Sequence, residues 1–202
     1  PKLTSEKSLA ALLRSQAQLG VIRIERPNIE IALTADGSNL EDVLSAWLPP
    51  NESQASTSAT VSIEVTEATA HIRDSVSGSM STIDNLDVHF KSAGAEDGMP
   101  TCSVSGNVRH AKSTGHFALK LEDGQAADAD AQRVGGSTGT PLLLSIRTEN
   151  VPLEAAEPLW RRFDIPAELA GSLNTQLACR WSMDAHGFSD EQVNGTISVD
   201  NV

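Results

Sequence analysis

Polar and apolar residues alternate along most of this chain, and the places where the alternation starts and stops outline its elements. From Thr60 onward the period is two: Val61, Ile63 and Val65, then Ala70 and Ile72, then Leu86, Val88 and Phe90, with Ser62, Glu64, His71, Arg73, Asp87 and His89 between them. Successive side chains of a strand project to opposite faces, so these segments predict strands with one dry and one wet face. Gly78 and the pair Asp84 and Asn85 read as turns, which makes the three segments an antiparallel meander. The alternation returns in Cys102, Val104 and Val108, and again in Phe117, Leu119 and Leu121. The turn-rich Lys112, Ser113, Thr114 and Gly115 join these two as a hairpin. Leu142 to Ile146 predict another strand. A last hairpin pairs Leu173 to Met183, where Leu177, Cys179 and Trp181 are in phase, with Gln192 to Val202, where Val193, Ile197 and Val199 alternate; Asp184, His186 and Gly187 supply its turn.

Elsewhere the spacing is helical. Leu9, Leu12, Leu13 and Leu19 predict an amphipathic helix from Ser5 to Leu19, stopped by Gly20. Two short strands follow, Val21 to Arg26 and Asn28 to Thr34, parted by Pro27, with Ile29, Ile31 and Leu33 on one face and a turn at Asp36 and Gly37. Ser38 and Asn39 are capping residues for a second helix, Leu40 to Leu48, whose stripe is Val43, Leu44, Trp47 and Leu48 and which Pro49 and Pro50 end. The polar stretch Asn51 to Ser58 then separates a helix-strand-strand-helix unit, residues 1–50, from a β region, residues 51–202, the two forming one continuous structural domain. Within the β region, Glu122 to Thr140 is a loose insert poor in apolar anchors. Pro152 to Phe163 form a crossing helix with Leu153, Ala156, Leu159, Trp160 and Phe163 on one side, made irregular by Pro152 and Pro158. The expected fold is mostly β with a few helices, α+β in class: a curved antiparallel sheet or sheets whose apolar face is either open or closed over as a sandwich.

Composition agrees with that picture and narrows the partners. The 202 residues are enough to bury roughly 70% of the unfolded surface, and with 39% apolar residues, 3% aromatic and no Tyr, the dry face must be built from Val, Ile, Leu and Ala. Fifteen basic against 27 acidic residues leave a net charge of −12, which repels phosphate backbones and anionic headgroups, so nucleic acid is not an expected partner. The acids are scattered, as on a solvated surface. No apolar run reaches the roughly 18 to 20 residues that cross a bilayer, and no signal sequence opens the chain. The chain begins at Pro1 and ends at Val202 inside a predicted strand, so a longer parent is expected, with any membrane contact made by its other parts.

Candidate chemistry is thin. Cys102 and Cys179 both fall in phase with apolar positions and read as small core residues, with a disulfide as the alternative; two thiols alone do not make a metal site. His71, His89, His110, His116 and His186 fall mostly at outward positions, and only His110 and His116 are placed to meet across a hairpin. Carboxylate pairs such as Glu122 with Asp123 and Asp190 with Glu191 lie in loops, and Gly135, Gly136 and Gly139 do not sit between a strand and a helix as a phosphate cradle does. No catalytic residue, metal ligand or cofactor is expected.

Two stretches together carry a family resemblance. One runs from Leu19 through Gly20, Val21, Ile22, Arg23, Ile24, Glu25, Arg26, Pro27, Asn28, Ile29, Glu30 and Ile31 to Asp36, Gly37, Ser38, Asn39 and Leu40; the other is "VSIEVTEATAHIRD" followed by "IDNLDVHF", Val61 to Phe90. Leu169, Gly171 and Leu173, with Asn194, Gly195, Thr196 and Ile197, add strand starts of the same kind. In this order they resemble the AsmA and TamB-like envelope proteins, and the likeness covers about two thirds of the chain. The resemblance implies a long β-sheet groove for acyl chains, a role in lipid transport or outer-membrane maintenance, and a membrane-anchored parent in the periplasm or cell envelope of a Gram-negative-type bacterium.

Two functions therefore stand side by side. In the first, Val61, Ile63, Val65, Leu86, Val88, Phe90, Val104, Val108, Phe117, Leu119, Leu121, Leu173, Leu177, Trp181, Val193, Ile197 and Val199 face lipid. In the second they form the core of a structural or protein-interaction sandwich. In both, the last strand is expected at a sheet edge, open to pairing with further sequence or with a second copy.

Overall fold

The computed structural model describes residues 1–5, 18–34, 37–41, 60–92, 100–124, 140–162, 170–184 and 187–200. These residues build ten strands: β1 (Lys2–Ser5), β2 (Gln18–Glu25), β3 (Asn28–Leu33), β4 (Thr60–Asp74), β5 (Met80–Lys91), β6 (Thr101–His110), β7 (Ser113–Asp123), β8 (Thr140–Pro152), β9 (Ser172–Asp184) and β10 (Gly187–Asp200). A 3-10 turn, Leu153–Ala156, and a helix α1, Glu157–Arg162, stand between β8 and β9. All the strands join in one open curved sheet in the order β1-β2-β4-β5-β6-β7-β8-β9-β10, and β3 also pairs with β4. A sandwich needs a second sheet to cover the first, and the described residues supply none.

From β4 to β10 each strand pairs antiparallel with its chain neighbour, through short turns at β4–β5, β6–β7 and β9–β10 and through longer connections elsewhere. The sheet is not antiparallel throughout, however: β2 and β3 both run parallel to β4, one after the other along the same side, and only β1 returns antiparallel on β2. Parallel neighbours need a long connection between them, which the residues between 33 and 60 supply.

The Thr60 to Phe90 region differs from three short strands. Val61, Ile63, Val65, Ala70 and Ile72 belong to one strand, β4, and Asp84 and Asn85 lie within β5. Asp84 and Asn85, which read as a turn, instead form a bulge, whereas Gly78 does lie in the turn between β4 and β5, its N donating to Asp74 O at 2.8 Å. Arg26, Glu67 and Asn85, on neighbouring lines of the sheet, all have left-handed backbone, φ 51°, 52° and 51°, and the register slips between Val65 and Ala68 and between Asp84 and Asp87. Side-chain and backbone acceptors take up the freed amides: Arg26 N donates to Thr66 O at 2.8 Å and Glu67 N to Asp87 Oδ1 at 2.9 Å. A turn and a bulge both call for Asn, Asp and Gly, so the sequence signal is the same, while a bulge bends a strand without ending it.

The N-terminal helix expected from Ser5 to Leu19 is corrected at both ends, since Ser5 belongs to β1 and Gln18 and Leu19 to β2; the rest of it lies outside the described residues. Of the second expected helix, 39–41 are helical, with Glu41 N donating to Ser38 Oγ at 3.2 Å, and Val43 to Leu48 lie outside the described residues. Asn39 does not cap. It lies against the free side of β3, where Oδ1 accepts from Ala32 N and Nδ2 donates to Glu30 O, both at 2.9 Å. Most of the loose insert, 125–139, is likewise outside the described residues, but Glu122, Asp123 and Thr140 are strand residues.

Candidate functional site

The register decides which side chains share a face, because residues opposite each other on paired strands point the same way. Ile24, Val65, Val88, Val104, Leu119, Ile146, Leu177 and Gly195 stand side by side in one unbroken apolar row from β2 to β10. Beside it runs a second: Ile22, Ile63, Phe90, Cys102, Leu121, Leu144, Cys179 and Val193. On the other flank Ala68 faces Leu86, while Gly106, Phe117, Thr148, Thr175 and Ile197 form a third row. Val61, Val108, Leu173, Trp181 and Val199 are in phase with these positions on their own strands. Every candidate position therefore falls on one face. The bulges preserve this: a single extra residue at Glu67 and at Asn85 keeps Ala68, Ala70, Ile72 and Ile83 on the same side as Val65 and Val88.

Sequence reasoning left β8 out of this face. Leu142, Leu143 and Leu144 read as a continuous run with no visible alternation, and only the register separates Leu142 and Leu144, beside Trp181 and Cys179, from Leu143, beside Arg180 and Glu122 on the opposite side. Ile22, Ile24, Ile29 and Ile31 were also legible as strand residues, yet their place on the same face depends on pairing with β4.

Burial is uneven over this surface. Ala68, Ala70 and Leu142 are buried, most of the other apolar positions are half-buried, and Val193, Ile197 and Val199 on β10 are 65%, 63% and 53% exposed. The opposite face is polar and laced with exposed cross-strand ion pairs: Arg23 with Glu64 at 2.6 Å, Arg109 with Asp84 at 3.1 Å and Arg26 with Glu67 at 3.8 Å. Two shallow depressions open on it, one over β7 to β10 bordered by Lys120, Arg147, Gln176 and Asn194, the other bordered by Glu64, His89, Lys91 and Lys120.

One end of the apolar face is closed by α1. Asp74, at the end of β4, shares the face of Ile72, and its side chain is only 4% exposed. Arg161 of α1 donates from Nη2 to Asp74 Oδ2 at 2.7 Å and also pairs with Glu157 at 3.2 Å. Ser77 Oγ donates to the same oxygen at 2.5 Å and Val76 N to Oδ1 at 2.9 Å. Burial alone would raise the Asp74 carboxyl, but Ser77, Val76 and Arg161 together outweigh it and hold the pKa below the usual carboxylate value. The segment leaving β8 thus spans β7, β6 and β5 to reach β4, roughly 19 Å at four strand spacings. Gly115 allows the crossing: a Cβ there would lie 2.3 Å from Asn150 O.

The remaining candidate chemistry is dispersed. His110 accompanies Ser81, 2.8 Å from its hydroxyl, whereas His116 sits near Asn107 on the opposite face, so the two do not meet across their hairpin. His186 lies outside the described residues. Cys102 and Cys179 share a row with β7 and β8 between them, roughly 14 Å at three strand spacings, far beyond disulfide reach. Burial raises the Cys102 thiol above its ordinary value. Among the described residues there is no His, Cys, Asp and Glu group fit to hold a metal and no helix long and apolar enough to cross a membrane. Comparison with family models, curated proteins and solved structures finds no match to the chain.

Proposed function

We propose that the chain is a non-enzymatic, AsmA-like β-groove segment whose apolar sheet face binds lipid acyl chains, as part of lipid transport or outer-membrane maintenance in a Gram-negative-type envelope. The observation that carries this reading is the continuity of the two apolar rows from β2 to β10 on a face that the described residues leave half-buried. A row of that length covers roughly 34 Å at seven strand spacings, against about 15 Å for one leaflet's share of a bilayer core, so it accommodates an acyl chain laid across the strands with room to shift. Each methylene taken from water onto such a face contributes about 0.8 kcal/mol when fully buried. Binding of this kind has no directional contact to satisfy, which suits a surface that lets a chain slide along it. The ion-paired reverse face keeps the sheet solvated on its other side.

Organic extraction of the purified chain, followed by mass spectrometry, is the direct test. Acyl lipids are expected in the extract, and a fluorescent fatty-acid probe is expected to bind saturably and to bind less to Ile197→Asp, which puts a charge on an exposed position of the face. A chain that carries no lipid and takes up no probe would overturn the proposal and favour an interaction module whose apolar face meets protein.

A further inference from the structure

The free edge of β10 invites a partner of its own, whatever the apolar face carries. The first part of this strand is guarded: Asp190 and Glu191 fall where the register to β9 slips between Ser189 and Gln192. Charges and bulges of this kind discourage strand addition. From Gln192 to Val199 the guard disappears. The pairing to β9 is regular, no residue is charged and none is Pro, and residues 193–200 are all exposed. No described residue lies beyond it in the sheet.

We infer that β10 pairs with β10 of a second copy, antiparallel and centred on Thr196, so that two sheets continue into one. The charge pattern selects a second copy and sets the register. Centring on Thr196 uses the whole regular stretch, apposes Val193 to Val199 and Gly195 to Ile197 on the apolar face, and apposes Asn194 to Ser198 and Gln192 to Asp200 on the polar face. No two charges meet, although the chain as a whole carries −12 and its copies repel at long range. A two-fold axis perpendicular to the sheet keeps both apolar faces on the same side, so the rows described above run on across the junction and the exposed Val193, Ile197 and Val199 gain neighbours.

Thr196 makes the inference testable, because it is exposed, lies on the polar face opposite Gln176, and would meet its own copy at the axis. The unsubstituted chain is expected to sediment as a concentration-dependent dimer. Thr196→Lys and Thr196→Glu should each weaken that dimer at least tenfold by setting like charges opposite each other, and an equimolar mixture of the two should restore a heterodimer, a rescue that a folding defect cannot produce. In a background with Cys102→Ala and Cys179→Ala, Thr196→Cys should form a disulfide-linked dimer on mild oxidation while Ser103→Cys, in the middle of the polar face, does not. A monomer at all concentrations overturns the inference. So does a dimer that tolerates both charged variants and does not cross-link through position 196, the result expected if copies associate through their apolar faces.

Discussion

Asn39 meets the free side of β3 as a neighbouring strand would, taking the Ala32 amide and giving to the Glu30 carbonyl, whereas no described residue meets the free side of β10. The β3 side has further protection: β1 is only four residues long and carries Lys2 paired to Glu25, and Ser38 bridges Leu33. The β10 side has fourteen residues and guards only where Asp190 and Glu191 interrupt its register. Unpaired amides and carbonyls template further strands unless something blocks them. The difference teaches that the two sides of this sheet are protected unequally, the β3 side by side chains and a short strand and the β10 side only over its first residues.

The severest way to disturb the contrast is Gly195→Val. Gly195 has φ 154°, and a Cβ there would lie 2.1 Å from Gln176 O and 2.7 Å from Leu177 Cα, both backbone. Loss of β10 from β9 is expected, with more than about 3 kcal/mol of stability and the amide protection of both strands, as read by chemical denaturation and hydrogen exchange. The bare edge would then move to β9.

Next in size is the latch beside the guarded edge. Arg161→Ala leaves Asp74 buried beside Leu33 without its cation, and since a third of Arg161 is exposed the expected cost is about 2 kcal/mol at neutral pH. The Asp74 pKa is lowered by folding, so its contribution is complete above the unfolded value of about 3.9 and is lost as pH falls through the lower folded value. Acid should therefore loosen α1 below about pH 4, and Asp74→Asn should flatten that part of the stability profile followed by circular dichroism.

Asn39→Ala asks for less. It removes two exposed hydrogen bonds and should cost about 1 kcal/mol, but its sharper effect is to bare β3, so that self-association by sedimentation no longer depends on position 196 alone. Smallest is Lys2→Ala, which deletes an ion pair between a 65% and a 37% exposed side chain and should change stability by less than about 0.5 kcal/mol, with little response to salt thereafter.

The amino-acid sequence by itself determined that the chain is mostly strand and that each strand has a dry side. Alternation such as Val61, Ile63, Val65 or Phe117, Leu119, Leu121 is a local property, fixed by the two-residue period of extended backbone, and it also located the segment that becomes α1. Local pattern does not say which strands are neighbours. That β2 and β3 lie parallel along one side of β4, that Asp84 and Asn85 bulge a strand instead of ending it, and that Leu144 but not Leu143 joins the apolar row were decided by pairing. Asn39 shows the limit most plainly: beside Ser38 it reads as a helix cap, and only the approach of β3 turns its amide into the guard of an edge. Tertiary structure alone sets such roles, because an amide side chain, a bulge and a free edge acquire meaning from backbone groups of other elements that have no partner until the sheet assembles.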